Sequence, residues 1–239
     1  MLLIQRGLFK EAKTKSQLLA FEIQQIYIIY MINMLQNREE AAHSLAKKLA
    51  SFRGKNPLIL AVPRGAVGMG RIVADMLSGD LDVILVHKIG HPVNAEFAIG
   101  AVDEDGQVYM DEEARLDQIP IKYLESERQL QWKKLKERRA YYTPVHKSLN
   151  PKGRIVIIID DGIATGWTLK AGIQAIKERK PQRIIVAVGV ASPQAIKEIE
   201  NMVDEVVCLI TPHDFYAVGQ FYQDFAQVSD QEVIKLLAR

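Results

Sequence analysis

Cysteine is nearly absent: the 239 residues contain one, Cys208. A single thiol closes no internal disulfide and builds no thiolate metal cluster. It reads as a buried structural group in the apolar run 205–210, and a reducing cytoplasm is the expected location. The chain also lacks an excess of either charge. Its formal net charge of +2 gives no argument for nucleic acid as a partner, and no DNA- or RNA-binding motif is visible. Long hydrophobic runs are missing as well. The apolar-rich stretch 23–35 carries Gln24, Gln25 and Asn33 and is shorter than the ~20 residues of a membrane span. No small-residue cleavage site follows it, which argues against a signal peptide. The histidines lack metal spacing. His87 and His91 are four apart, but Gly90 and Pro92 forbid a continuous helix between them, and His43, His146 and His213 have no partner. Gly65, Gly68 and Gly70 fall as G-x-x-G-x-G, the reverse of a dinucleotide fingerprint. There is no internal repeat and no low-complexity segment.

What is present is an ordinary globular balance, 48% apolar and 25% charged, in a chain long enough to bury a sizeable core. Residues 1–36 form an extension, with 9–34 read as an amphipathic helix or a poorly ordered segment and Met31 and Met34 as alternative starts. Residues 37–239 form the domain. Asn37 with Glu40 opens a helix in the manner of a capping box. Strand, helix and strand then follow at 57–62, 66–77 and 81–87, a βαβ unit that predicts a parallel sheet. Asp105-Gly106 marks a hairpin between 98–102 and 107–110. Residues 121–140 read as a charged helix with seven basic residues against three acids, a net of +4. That helix is either a solvated face or a basic lid near a polyphosphate. Regular alternation returns with strands at 154–159, 183–190 and 205–210, and helices at 167–179, 193–200 and 231–237. The fold expected is α/β and doubly wound, with a mostly parallel sheet, a small antiparallel insertion and a C-terminal hood.

The strongest chemical signal is the stretch 156–168, VIIIDDGIATGWT. A buried strand ends in two carboxylates, Asp160 and Asp161. A loop of Ala164, Thr165 and Gly166 then leads into a helix that starts with Trp167 and Thr168. Ligands of open parallel sheets bind beyond the carboxyl ends of the strands. A helix N-terminus offers free N–H groups and a positive dipole end to a phosphate. Carboxylates beside a phosphate would repel it, so the acids need sugar hydroxyls or a metal. A ribose 5-phosphate satisfies both halves.

This stretch resembles the phosphoribosyl-pyrophosphate motif of type I phosphoribosyltransferases over its full length without a gap. The resemblance extends more loosely over 37–239. It implies that Asp160 and Asp161 bind the ribose diol and organise Mg²⁺ indirectly, and that the amides of Ala164, Thr165, Gly166, Trp167 and Thr168 hold the 5′-phosphate. Family members acting on 6-oxopurines carry an acid where this sequence has Ala164, which puts that substrate class in doubt. The sequence AVPRG at 61–65 resembles the family's pyrophosphate loop, with Arg64 as the cation and Gly65 as the permissive residue. Lys88 resembles the lysine that meets pyrophosphate. Residues 90–142 correspond to a mobile loop in which Glu96 is the candidate general base. The aromatic stretch 211–222 resembles a hood, with Phe215, Tyr216, Phe221 or Tyr222 as rings that could stack on a base. The implied reaction transfers a phosphoribosyl group to a nitrogenous base or amine with release of pyrophosphate, the catalytic set being Arg64, Lys88 and Glu96. The alternative is a non-catalytic sensor of the sugar pyrophosphate. Small-molecule substrates, no membrane and a homodimer complete the expectation.

Overall fold

The computed structural model of the chain describes residue 21 and residues 34–95, 97–110 and 119–238. The chain divides into two units, Met1–Met34 and Leu35–Arg239. The second unit carries the architecture that follows. The helix or extension expected for 9–34 lies almost wholly outside the described residues.

Helix α1 spans Arg38–Lys48, its first turn closed by the Asn37 side chain accepting from the Glu40 amide. The Glu40 carboxylate receives the Gln36 amide rather than that of Asn37, so the cap is reciprocal but shifted by one residue. Strand β1 (Leu58–Ala61), helix α2 (Val67–Leu77) and strand β2 (Asp80–Val83) form the first βαβ unit. Strands β3 (Val86–Gly90), β4 (Ala98–Asp103) and β5 (Val108–Met110) follow. Helix α3 (Ile121–Tyr142) leads to β6 (Ile155–Ile163), α4 (Trp167–Glu178), β7 (Arg183–Ala191), α5 (Pro193–Glu200), β8 (Glu205–Ile210) and α6 (Asp230–Leu237).

Five strands form one parallel sheet in the order β2-β1-β6-β7-β8, and β3-β4-β5 form a separate antiparallel sheet. The period-2 alternation of side chains sorts the core onto two faces. Ile59, Ile157 and Ile185 pack with the buried faces of α1 and α2 and with Val233 and Leu237 of α6. Leu58, Leu60, Val156, Ile158 and Val186 pack with α4 and α5. Helices therefore cover both faces, which is the doubly wound plan expected from the alternation of elements. Each fully buried branched side chain of this kind contributes roughly 1.5–3 kcal/mol against exposure.

Two expectations need correction. The apolar run 81–87 is not one strand. The chain leaves the parallel sheet after Val83, where β1 offers no further partner beyond Ala61, and Val86–Gly90 pairs instead with β4. Both stretches are extended and largely apolar, so the change of sheet leaves no mark in the pattern. The strand carrying the two aspartates is also longer than expected. It continues to Ile163, pairing with β7 through Ile163↔Ala191. Its register with β1 ends at Ala61↔Ile159, followed by the Val62 amide donating to the Ile159 carbonyl. The acids therefore have a strand on one side only.

Candidate functional site

The order of the parallel strands reverses between β1 and β6. The chain winds outward from β1 to β2, then returns to build β6, β7 and β8 on the other side. The loops that leave β1 and β6 diverge there, and a crevice opens beyond their carboxyl ends. Residues 62–65 line it from β1, and Asp160, Asp161 and the loop 164–168 from β6.

Strand alternation sends the two carboxylates apart. Ile157 and Ile159 face α1 and α2, so Asp161 faces that side as well. The Arg38 guanidinium, at the start of α1, donates from Nε to Asp161 Oδ2 at 2.7 Å, with both side chains largely buried. Arg38 is held in turn by the Phe225 ring, 3.7 Å from its Cζ, and by the Ala226 carbonyl at 2.7 Å. The Tyr222 hydroxyl donates to the Asp161 carbonyl at 2.6 Å. Asp160 accepts the Asp161 amide at 2.8 Å. Burial, and after it the charge of Asp161, push the Asp160 carboxyl well above its ordinary range. The pair thus keeps one acid matched to a cation and the other poised to take up a proton or an external positive charge.

Gly65 stands directly over this pair. A Cβ at position 65 would run into Asp161 Oδ2 and come within 3.1 Å of the Arg38 guanidinium. The absence of a side chain is what allows the loop after β1 to approach the acids. The Pro63–Arg64 peptide before it is cis. Arg64 is exposed and pairs with Asp230 at the start of α6, at 3.3 Å. On the β6 side, Gly166 is left-handed (φ 75°) at the N-cap of α4. This geometry turns the chain abruptly into the helix and suits glycine. The first amides of α4 have no intrahelical acceptor and form an anion-binding end. The Ser192 hydroxyl donates to the Ala164 carbonyl at 3.0 Å, and the Trp167 ring lies 3.8 Å from Lys170 Nζ. A cavity of about 730 Å³ between β4, β5, α4 and α5 touches Ala164, Thr165 and Trp167 but neither aspartate. It shares these three loop residues with the crevice and leads away from the acids.

The other sequence-derived residues are dispersed. Lys88 lies half-buried in the middle of β3, in the antiparallel sheet, not at the end of a parallel strand. Glu96 falls outside the described residues. Phe215 packs on Phe221, ring centroids 5.4 Å apart, while Phe221 and Tyr222 are core residues and Tyr216 is 88% exposed. Sequence reading missed Arg38 and Phe225. Arg38 is 123 positions from its partner, and its only signal was a place in the first turn of a capped helix.

The comparisons with known proteins bear on this geometry. A family model for the phosphoribosyl transferase domain matches residues 31–226. A protein of Mycobacterium tuberculosis, provisionally described as a phosphoribosyl transferase, is 36% identical over 209 residues, which is 87% of this chain and 47% of that protein. The chain therefore spans about half the length of the curated relatives it matches over most of its own length. A uracil phosphoribosyltransferase of Mycoplasma genitalium is 40% identical over 63 residues, 26% of this chain and 30% of the relative. A crystal structure of a Thermus thermophilus protein superposes with a TM-score of 0.77 at 40% identity, covering 86% of this chain and 98% of that one.

Proposed function

Since this chain belongs to the type I phosphoribosyl transferase family, we propose that the crevice between β1 and β6 binds 5-phosphoribosyl-1-pyrophosphate and that the protein transfers its phosphoribosyl group to a nitrogenous base or amine. The observation that carries this reading is the convergence of three units on the strand-order reversal: the acid pair Asp160–Asp161, the amide loop 164–168, and Arg64–Gly65 above the acids. The amides of Ala164, Thr165, Gly166, Trp167 and Thr168 would hold the 5′-phosphate, and Asp160 and Asp161 would accept from the ribose 2′- and 3′-hydroxyls.

The bond from C1′ to pyrophosphate breaks with its electron pair on the leaving oxygen, and a nitrogen lone pair closes on C1′. Charge then develops as an oxocarbenium centre and an anionic leaving group. Arg64 and Lys88 would offset the latter, and no protein nucleophile is required. Glu96 is proposed to take the proton lost by the nitrogen.

Mg²⁺ fits the acid pair in a particular way. No group of three or more potential metal ligands exists among the described residues, and Mg²⁺ is ordinarily shared between one or two carboxylates, water and substrate phosphates. Asp160, destabilised as an anion by burial, would gain from a nearby cation. Bound with the sugar pyrophosphate, the ion would neutralise charge on the leaving group.

Ala164 offers no carboxyl to a base. We expect hypoxanthine and guanine to be poor acceptors, and the acceptor to be another base or amine. Residues 37–239 are taken as the transferase domain and 1–36 as an extension. The single cysteine supports a cytoplasmic location, and the family resemblance supports a homodimer, which light scattering tests. Among the described residues no helix is long and apolar enough to cross a membrane.

Calorimetry with phosphoribosyl pyrophosphate in the presence and absence of Mg²⁺ tests the binding claim, and pyrophosphate release across a panel of bases and amines tests the transfer. Failure to bind at millimolar ligand with Mg²⁺ would remove the central claim. Binding without release across the panel would favour a sensor.

A further inference from the structure

The positive face of α3 has no place in the chemistry above. Its lysines and arginines are not evenly solvated. Lys134 and Arg138, one turn apart, turn toward β3, where with His87, Leu135, Glu137, Tyr141 and Asp230 they line a cavity of about 250 Å³. None of these residues belongs to the loops after β1 or β6. The volume is below the ~300–1,000 Å³ of pockets that hold drug-sized ligands, so it suits a small ion or a single headgroup rather than a nucleotide.

The charges in this cavity are unevenly matched. Its two carboxylates have partners: Asp230 accepts from Arg64 at 3.3 Å and from the Tyr142 hydroxyl at 2.8 Å, and Glu137 lies 4.0 Å from Lys133. Its cations are less engaged. Lys134 donates to the neutral Gln131 side chain at 3.2 Å, and Arg138 forms no ion pair among the described residues. His87 Nδ1 is buried with no hydrogen-bond partner among the described residues. Burial lowers the His87 pKa most, a backbone hydrogen bond with Lys88 acts against it, and the positive charges of Lys134, Arg138 and Lys88 add to the lowering, which leaves the ring below its ordinary pKa. Two under-matched cations around one small cavity are complementary to an anion.

We propose that the cavity between β3 and α3 is a second anion site, distinct from the sugar pyrophosphate crevice, which takes one phosphate group through Lys134 and Arg138, with the His87 ring at its wall. The group is inorganic phosphate or the head of a small phosphomonoester. Asp230 joins the two sites, since it lines this cavity and also pairs with Arg64. An anion placed beside Asp230 weakens its hold on Arg64, so occupancy of the cavity changes affinity in the crevice, and the reverse follows by linkage. This coupling rests on the transferase reading; the binding itself does not.

The test follows the ring signals of His87 by NMR in the full chain, assigned with His87→Gln. Inorganic phosphate and ethyl phosphate are titrated in parallel, and the Gly166 amide reports the crevice. The expected result is movement of the His87 ring and a rise of about 1 unit in its apparent pKa, the scale of an opposite charge within a few ångströms. The groups facing the ring are Lys88, Lys134, Glu137, Arg138, Tyr141 and Asp230, and of these Lys134 and Arg138 are the ones removed. In Lys134→Glu/Arg138→Glu the His87 response disappears while the Gly166 amide still moves. The stronger of the two ligands identifies the source of the phosphate. A His87 ring indifferent to both ligands, or an unchanged response in the double variant, overturns the proposal. Movement at Gly166 alone does so while leaving the transferase reading intact.

Discussion

Asp160 is the residue whose environment is most at odds with its charge. Because its carboxyl is raised, the folded chain holds a proton there at pH values where the unfolded chain has lost it. Stability therefore falls as pH rises from the ordinary value of 3.8 through the raised one, and the penalty persists at neutral pH. Asp160→Asn removes the penalty. It should stabilise the fold at pH 7.5 by about 1 kcal/mol, a few degrees in Tm, as removal of a strained functional group commonly does. The gain should vanish below pH ~3.8, where the wild-type carboxyl is protonated in both states, and sugar pyrophosphate binding should be lost. Melting curves across pH, with calorimetry at one pH, check both halves. Gly65→Ala acts through shape. Its methyl group meets the Asp161 carboxylate and the Arg38 guanidinium, so the loop must lift away from the acids. We expect a folded protein whose affinity falls by more than about tenfold, which is more than 1.4 kcal/mol. Unchanged affinity would mean that the loop and the acids do not share a ligand.

Among the elements, α3 departs most from its sequence signal. As a highly charged segment it reads as a solvated face or a lid, yet Arg139 is buried against the body of the protein. It donates to Glu104 at 2.7 Å, to Asp82 at 3.1 Å and to the Val83 carbonyl at 3.2 Å. Asp82 is 1% exposed and also accepts the Leu149 amide. These groups are 35 to 67 positions apart, and no local pattern can announce such a cluster. Arg139→Met should cost about 3–5 kcal/mol, because it leaves Asp82 buried without its cation. Lys133→Met, on the exposed face of the same helix, should stay within about 0.5 kcal/mol. Urea midpoints distinguish the two. The aromatic hood shows a related limit. Composition identified 211–222 as ring-rich, but only the fold separates Phe221 and Tyr222, which are buried, from Tyr216, which is exposed.

For the molecule as a whole, the architecture was legible because it depends on period and order. Continuous apolar runs of four to six residues alternating with amphipathic helices yield a parallel sheet. The stretch 156–168 located the acids at the strand end and the loop that opens α4 because a strand, a turn and a helix start are all local. The sheet change at Val83, the length of β6 and the Arg38–Asp161 pair were illegible because each depends on which strand or side chain lies alongside. Among the described residues, the two buried clusters of the domain are built from Leu35 onward. A chain beginning at Met34 should therefore fold with a Tm close to that of the full chain and bind the sugar pyrophosphate equally. A loss of folding would show that the preceding residues complete the core or an interface.

Arg38 lies near the beginning of the domain, yet its seat is made at the end. The Leu35 amide donates to the Phe221 carbonyl, and Gln223 and Asp224 donate back to Leu35 and Gln36. Phe225 and Ala226 then close over the guanidinium. During synthesis at about 5–20 residues per second, the acids on β6 emerge some seconds before the segment that pins their cation. For that interval Asp160 and Asp161 stand as adjacent negative charges with no secured counter-ion. The stretch 221–226 is thus a late-made clasp over the acids, and a nascent chain stopped before residue 221 would present a nearly complete sheet with its carboxyl end unfinished.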